Sequence, residues 1–187
     1  MITVFLANGF EEVEAITPVD IMRRAGLDVR TVSIYDSPMV TGAHKVPIQT
    51  DMVFCQVDFS QVDLIVLPGG LPGSTNLDAC EPLCQAIKKH TEGGKPVAAI
   101  CAAPLVLGHL GLLVGRKATC YPGFEKYLTG ATYTAQLFQE DGNIITGEGP
   151  AASLPYAYRI LSYFVSEDEV RAMQHGMMYA HLMGTEA

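Results

Sequence analysis

The sequence predicts a doubly wound α/β protein, a mainly parallel sheet sandwiched by helices. Three observations carry this: short apolar runs rich in β-branched residues recur along the chain, amphipathic helical patterns lie between them, and glycines close the helices. A strand without polar alternation is buried on both faces, as parallel strands are. Strands alternating with helices require crossovers, and right-handed crossovers cover both faces of the sheet.

Taken in order, "ITVFLA" (2–7) is the first strand, and "EEVEAITPVDIMRRAG" is a helix closed by Arg23, Arg24 and Gly26. Pro18 removes an internal hydrogen bond from that helix and is expected to kink it. "LDVRTVSIY" (27–35), "DLIVLPGG" (63–70) and "KPVAAI" (95–100) read as further buried strands. "EPLCQAIKKHTEGG" (81–94) is a helix ending in Gly-Gly, and "AAPLVLGHLGLL" (102–113) is expected to be another. Two stretches break the rhythm. "SPMVTGAHKVPIQTDMVF" (37–54) reads as a strand pair or arm beside the sheet, and "ATYTAQLFQEDGNIITGEGP" (131–150) as a hairpin turning at Asp141, Gly142 and Asn143. The tail reads as helices over 151–164 and 166–184, the second opened by a Ser166–Glu169 capping box.

Length and charge narrow the function classes. A chain of 187 residues without repeat or linker is expected to form one domain, 1–187, burying roughly 70% of its unfolded surface. A net charge of −8 with twelve scattered Lys and Arg argues against a nucleic-acid partner. No apolar run reaches membrane-spanning length, and no basic region precedes the short apolar run at the N-terminus, so no membrane partner and no cleaved signal are expected. Five cysteines, an odd number, fit a reducing compartment better than a disulfide framework, and the cytoplasm is the default expectation.

Ligands of open parallel sheets bind beyond the carboxyl ends of the strands. In "VAAICAAPLVLG", Cys101 stands at such an end, on a strand-to-helix turn where helix N–H groups and the dipole favour thiolate. A small buried cysteine at a strand end is equally ordinary packing, and position alone leaves both readings open. "LPGGLPGS" adds a glycine turn, Gly69 and Gly70, that can expose amides as an anion nest. Set beside Cys101, the Gly70 and Ala102 amides could hold a developing oxyanion; a plain turn is the simpler alternative, and the motif is no nucleotide loop. In "GFEEVEA", 100° per residue sends Glu14 toward the side of Phe10 and Ile21 and Glu12 nearly opposite, so Glu14 is the candidate for burial. A carboxyl buried near a thiolate has a raised pKa and can act as general acid or base; a first-turn helix acid is the plain alternative. Glu11 and Glu12 read as such acids.

Cys80 and Cys84 read as half-buried thiols without a zinc-spaced partner pair, and Cys55 and Cys120 as packing residues. The Met- and His-rich "MQHGMMYAHLM" reads as a docked helix face rather than a metal or haem site. Glu148, in the turn "TGEGP", is either a cleft-lining residue or simply exposed.

"ANGFEEVEAITPVDIMRRAG", "LIVLPGG", "VAAICAAP" and "ITGEGPAAS", in this order over residues 7–153, resemble the ThiJ/PfpI family, in the branch of DJ-one, the parkinsonism-associated deglycase, and its bacterial homologues. The resemblance implies a flavodoxin-like sandwich, a homodimer, a nucleophilic Cys101, a protonated Glu14 bonded to its sulfur, and Gly70 and Ala102 amides lining an oxyanion pocket. It also implies a thiol readily oxidised to sulfinate. Three departures matter. Ala102 stands where protease-like branches carry histidine, which argues against a Cys-His peptidase. Tyr121 stands where the deglycase has a histidine, and "GPAAS" replaces "GPGTS". Nor is there a downstream His-x-Glu pair to complete an amidotransferase triad.

The expected activity is that of a cofactor-free and metal-free glyoxalase III or deglycase acting on methylglyoxal, glyoxal or their early adducts, that is, on a small reactive aldehyde or glycated substrate. Alternatives are an oxidative-stress sensor or redox-regulated chaperone using the same thiol, and a narrower hydrolase or hydratase of the family.

Overall fold

Alternate residues of the central strands point into two different cores, and this two-sided burial builds the sandwich. In the computed structural model, which describes residues 1–184, the chain forms β1 (Ile2–Leu6), α1 (Glu12–Arg24), β2 (Val29–Ser33), β3 (Met39–Thr41), β4 (Pro47–Gln49), β5 (Met52–Val53) and β6 (Leu64–Leu67). There follow α2 (Gly73–Asp78), α3 (Glu81–Glu92), β7 (Val97–Ile100), α4 (Pro104–His109), β8 (Lys117–Ala118), β9 (Thr132–Tyr133), β10 (Phe138–Asp141) and β11 (Ile144–Gly147). Helices α5 (Ser153–Leu161), α6 (Glu167–Gly176) and α7 (Tyr179–Leu182) close the described chain.

The main sheet runs β10-β11-β7-β6-β1-β2-β5, parallel throughout except for the antiparallel β10–β11 hairpin. Its long parallel strands stand in the doubly wound order 2-1-3-4-5. Phe5, Ile65, Leu67, Val97 and Ala99 enter one core with Leu83, Ile87 and Leu105 of α3 and α4. Their neighbours Val4, Leu6, Leu64, Val66, Ala98 and Ile100 enter the other with Ala15, Val19 and Met22 of α1 and Tyr156 and Ile160 of α5. Each fully buried Leu or Ile contributes about 1.5–3 kcal/mol.

Several expectations are met in detail. Gly26 takes φ +76 just past the end of α1, and Ser166 and Glu169 form the reciprocal capping box of α6. The 37–54 arm is a separate β3–β4 ladder followed by the edge strand β5, and the turn at 141–143 joins β10 to β11.

Others are corrected. The helix expected over 102–113 is α4, only Pro104–His109, because Gly111 turns left-handed at φ +74. The single helix expected over 166–184 is broken between α6 and α7, where Met178 sits at φ 58. The segment read only as a hairpin supplies β11, a full member of the parallel sheet against β7. Cys55, expected to pack, is exposed on a 3₁₀ turn. Cys120 and Cys84 are buried, and Cys80 is partly so. Met173, Met177 and Tyr179 dock on Ile21, Tyr158 and Leu161 as expected, while Met178 and Met183 stay exposed. Among the described residues no helix is long and apolar enough to cross a membrane.

Candidate active site

Three loops meet at the carboxyl ends of β1, β6 and β7. The loop after β7 places Cys101 at φ 64, a left-handed conformation that a non-glycine L-residue adopts only at a cost. Two bonds hold it: the Cys101 N–H donates to Gly147 O on β11 (2.9 Å), and the Tyr121 N–H donates to Cys101 O (2.9 Å). The cysteine and Ala102 pack in the same core as the inner face of α1.

That face presents Glu14, which is completely buried (0% exposed). Its Oε2 accepts the Gly69 N–H at 2.8 Å. Its Oε1 is buried without a conventional hydrogen-bond partner, and the Cys101 thiol is the side chain with which the carboxyl interacts. Gly69 is the wedge between them. A Cβ there would stand 2.5 Å from Glu14 Oε2 and 2.6 Å from Cys101 Cβ, so a side chain would force the pair apart. Gly70 takes φ +87 and crowds against the Gly9–Glu11 backbone, and its N–H and that of Ala102 act on the Cys101 sulfur.

Burial dominates the electrostatics. It raises Glu14 from 4.5 to about 7, against the opposing pull of Cys101 and the Gly69 amide; Glu11 adds to the rise. Burial also pushes the Cys101 thiol well above its ordinary range, helped by the Glu14 charge and only partly offset by the Gly70 and Ala102 amides. This corrects the expectation that position alone favours thiolate. Helix α4 is one short turn and a half and begins three residues beyond the sulfur, so its dipole is too weak to outweigh desolvation. Two adjacent buried anions are the costly state, so the pair keeps a proton.

The residues singled out in the sequence, Cys101, Glu14, Gly69, Gly70 and Ala102, therefore come together. Tyr121 reaches the site through its backbone and lies against Gly149, with a ring that is 47% exposed. Glu148 is half-buried and acts on Cys120 rather than on Cys101.

Four residues take up contacts that the sequence reading did not assign to them. Glu11 and Glu12 are more than solvated first-turn acids: Glu11 is buried, and Glu12 Oε1 accepts the His44 N–H (2.8 Å) while its Oε2 meets His44 Nδ1 (2.8 Å). His44 comes from the tip of the β3–β4 arm, more than thirty positions away, and no local pattern announces that meeting. Glu11, Glu12 and His44 are also the group among the described residues whose ligand atoms lie close enough to share a metal ion. Their mutual hydrogen bonds and ion pairs account for the arrangement without one. Tyr156, in the core beneath Cys101, buries a hydroxyl that has no partner.

A flavodoxin-like sheet with a left-handed cysteine after its fourth parallel strand, faced by a buried glutamate, defines a class of α/β proteins with a cysteine elbow. Within that class the chain belongs to the DJ-1/PfpI family, whose model matches residues 1–163. It is 37% identical over 166 residues to DJ-1 homolog B of Arabidopsis thaliana, covering 88% of this chain but 38% of that protein. The chain thus spans less than half the length of the two Arabidopsis relatives. It spans 96% of Drosophila melanogaster dj-1beta, at 32% identity over 95% of this chain. A protein named as a deglycase from Pyrococcus horikoshii is 35% identical over 78% of this chain and 87% of its own length.

Solved structures agree. A cysteine-to-alanine mutant of a DJ-1 superfamily protein from Salmonella typhimurium superposes with TM-score 0.90 at 34% identity, covering 94% of this chain and 96% of that one. Toxoplasma gondii DJ-1 in an oxidized form superposes with TM-score 0.91 at 30% identity, over 96% of this chain and 98% of that one.

Proposed function

We propose that this chain is a cofactor-free, cysteine-dependent enzyme of the glyoxalase III or deglycase type, acting on methylglyoxal, glyoxal or their early adducts. The observation that carries this is the Cys101–Glu14 pair: a thiol on a strained turn against a buried carboxyl that holds a proton up to about pH 7. The deglycase name of the archaeal relatives supports the substrate class.

In the reactive form Glu14 carries the proton and Cys101 is the thiolate, so the carboxyl donates to sulfur and only one charge is buried. The thiolate attacks the aldehyde carbon of methylglyoxal, and the new oxyanion is received by the Gly70 and Ala102 amides and protonated from Glu14. The product is a hemithioacetal. The Glu14 carboxylate then removes the proton from that carbon and returns it to the neighbouring carbonyl carbon, as the electron pairs shift through an enediol to a lactoyl thioester. Water cleaves the thioester to lactate and regenerates the thiol. Tyr121, with its exposed ring at the rim, is placed to shield the substrate rather than to act as a base.

Lactate release from methylglyoxal is the test. Cys101→Ala is expected to lower it at least about a hundredfold while the circular dichroism spectrum is retained. Equal rates in parent and variant, or no lactate from the parent, would overturn the proposal. A redox reading of the same thiol is supported by the oxidized form of the Toxoplasma relative, and mass spectrometry for a sulfinate at Cys101 tests it.

The active form is proposed to be a homodimer. Val13 (50% exposed) and Ile16 (40% exposed) project from α1 into a shallow groove with Leu154 and Met177, an apolar face suited to a second copy. Ile16→Lys should convert a dimer to monomers in light scattering; an unchanged dimer mass would place the interface elsewhere.

A further inference from the structure

A second cleft, of about 400 Å³, opens at the opposite, amino-terminal end of the strands from Cys101. It is walled by Phe59 and Ala86, floored by the turn at Gly93, and bordered by Lys89, Lys95 and His90. Cys101 follows the carboxyl end of β7, whereas this cleft lies before its amino end; the four-residue strand between them spans about 13 Å. The two sites are separate.

Its chemistry is unlike the rest of the surface. The chain carries a net charge of −8, yet no carboxylate lines this cleft and two ammonium groups do. Asp63, which acts on His90, is already paired with the Met1 α-amino group at 2.6 Å. Lys95 Nζ is anchored by the carbonyls of Val62 (2.5 Å) and Ser60 (3.3 Å), which fixes its charge at the rim. Lys89 stands free of ion pairs among the described residues and can swing toward a ligand. The Phe59 ring is held by stacking on Phe5 and tilting against Phe54, so it is a rigid wall.

His90 supplies a specific feature. The residue is only 7% exposed, and its Nε2 faces the Pro96 carbonyl at 3.1 Å, which requires Nε2 to be the donor. Burial lowers its pKa, so the ring is neutral and Nδ1 is a lone-pair acceptor. No described residue bonds Nδ1, and His90 lines the cleft. A plain alternative exists, since Lys89 also complements the C-terminal dipole of α3. That accounts for the Lys89 charge but not for an apolar hollow with an aromatic wall and an unbonded imidazole acceptor beside it.

We propose that this cleft binds a small aromatic carboxylate: the ring against Phe59 and Ala86, the carboxylate between Lys89 and Lys95, and a hydroxyl or amine donor on His90 Nδ1. The volume suits a single-ring acid, and pockets of this size with a few convergent polar groups are the usual form of small-molecule sites.

The probe is 4-hydroxybenzoate, titrated into the ¹⁵N-labelled full chain and followed by NMR. Saturable shifts are expected at Ser60, Ala86 and Gly93, and not at Gly70 or Ala102. The neutral 4-hydroxybenzyl alcohol should bind at least about fivefold more weakly, as should the parent ligand to Lys89→Glu. Ala86→Leu, which fills the hollow without touching a charge, should abolish the shifts while leaving Cys101 alkylation at its parental rate. Equal binding of the neutral analogue, shifts confined to the thiol site, or no saturation by about 20 mM would each overturn the assignment.

Discussion

Replacing Glu14 by Gln separates stability from chemistry at the candidate site. Glu14 is raised from 4.5 to about 7 because ionising it buries a charge. Between those two values the folded chain binds one proton more than the unfolded chain, so stability must fall as pH rises, by about 1.4 kcal/mol per unit. Over the interval from 4.5 to about 7 the loss attributable to this one group is about 3 kcal/mol. Gln is nearly isosteric and can still accept the Gly69 N–H, but it never ionises. The variant should therefore match the parent near pH 4 and exceed it by about 3 kcal/mol at pH 8. Urea unfolding followed by circular dichroism at pH 4, 5, 6, 7 and 8 reads this directly. Parallel pH profiles for parent and variant would refute the reasoning, since they would mean that Glu14 ionises in the fold no less readily than in the open chain. The same variant should lose lactate formation, because Gln cannot exchange the proton.

Two further changes probe the neighbourhood. Gly69→Ala puts a methyl where Glu14 Oε2 and Cys101 Cβ leave no room, and should cost about 2 kcal/mol of stability and about a hundredfold in activity; an active, undestabilised variant would mean that the wedge is soft. Tyr156→Phe removes a buried hydroxyl that has no partner and should be neutral or stabilising by up to about 1 kcal/mol in thermal unfolding; a clear loss would reveal an ordered water on that hydroxyl.

The parts of the fold that were legible rest on periodicity and local chemistry. Runs such as "DLIVLPGG" and "KPVAAI" show double-sided burial in their composition, and the wheel of α1 separates Glu14 from Glu12 without any knowledge of the sheet. The Ser166 cap and the Gly26 stop are settled within one turn of helix. Features that depend on distant meetings were not legible. β11 looks like half a hairpin until β7 is placed beside it. His44 sits in a polar turn, and only the folding of the β3–β4 arm over the start of α1 brings it to Glu12. The break at Met178 falls inside an unbroken helical pattern; Gly176 was the available signal, weak because glycine is tolerated in helices. At the site, the left-handed geometry of Cys101 and the wedge at Gly69 arise from three converging loops, so spacing along one segment cannot express them.

The structure also alters the ground on which Cys101 is judged. On a turn with strong helix N–H donation, the thiol would be reactive by position, and any small residue nearby would serve. Here burial works against the thiolate, with only two amides in its favour. A structural cysteine could relieve every local cost at once: an ordinary φ, a neutral residue in place of Glu14, a side chain at position 69. None is relieved. The strained turn, the buried acid and the enforced glycine converge on one sulfur and have no packing purpose in common. Costs concentrated in this way are what a reacting centre requires, since it must hold groups in states that stability alone would discard. On the proposed mechanism Glu14, more than the helix behind Cys101, is the group on which reactivity turns, because its protonation removes the second charge from beside the sulfur.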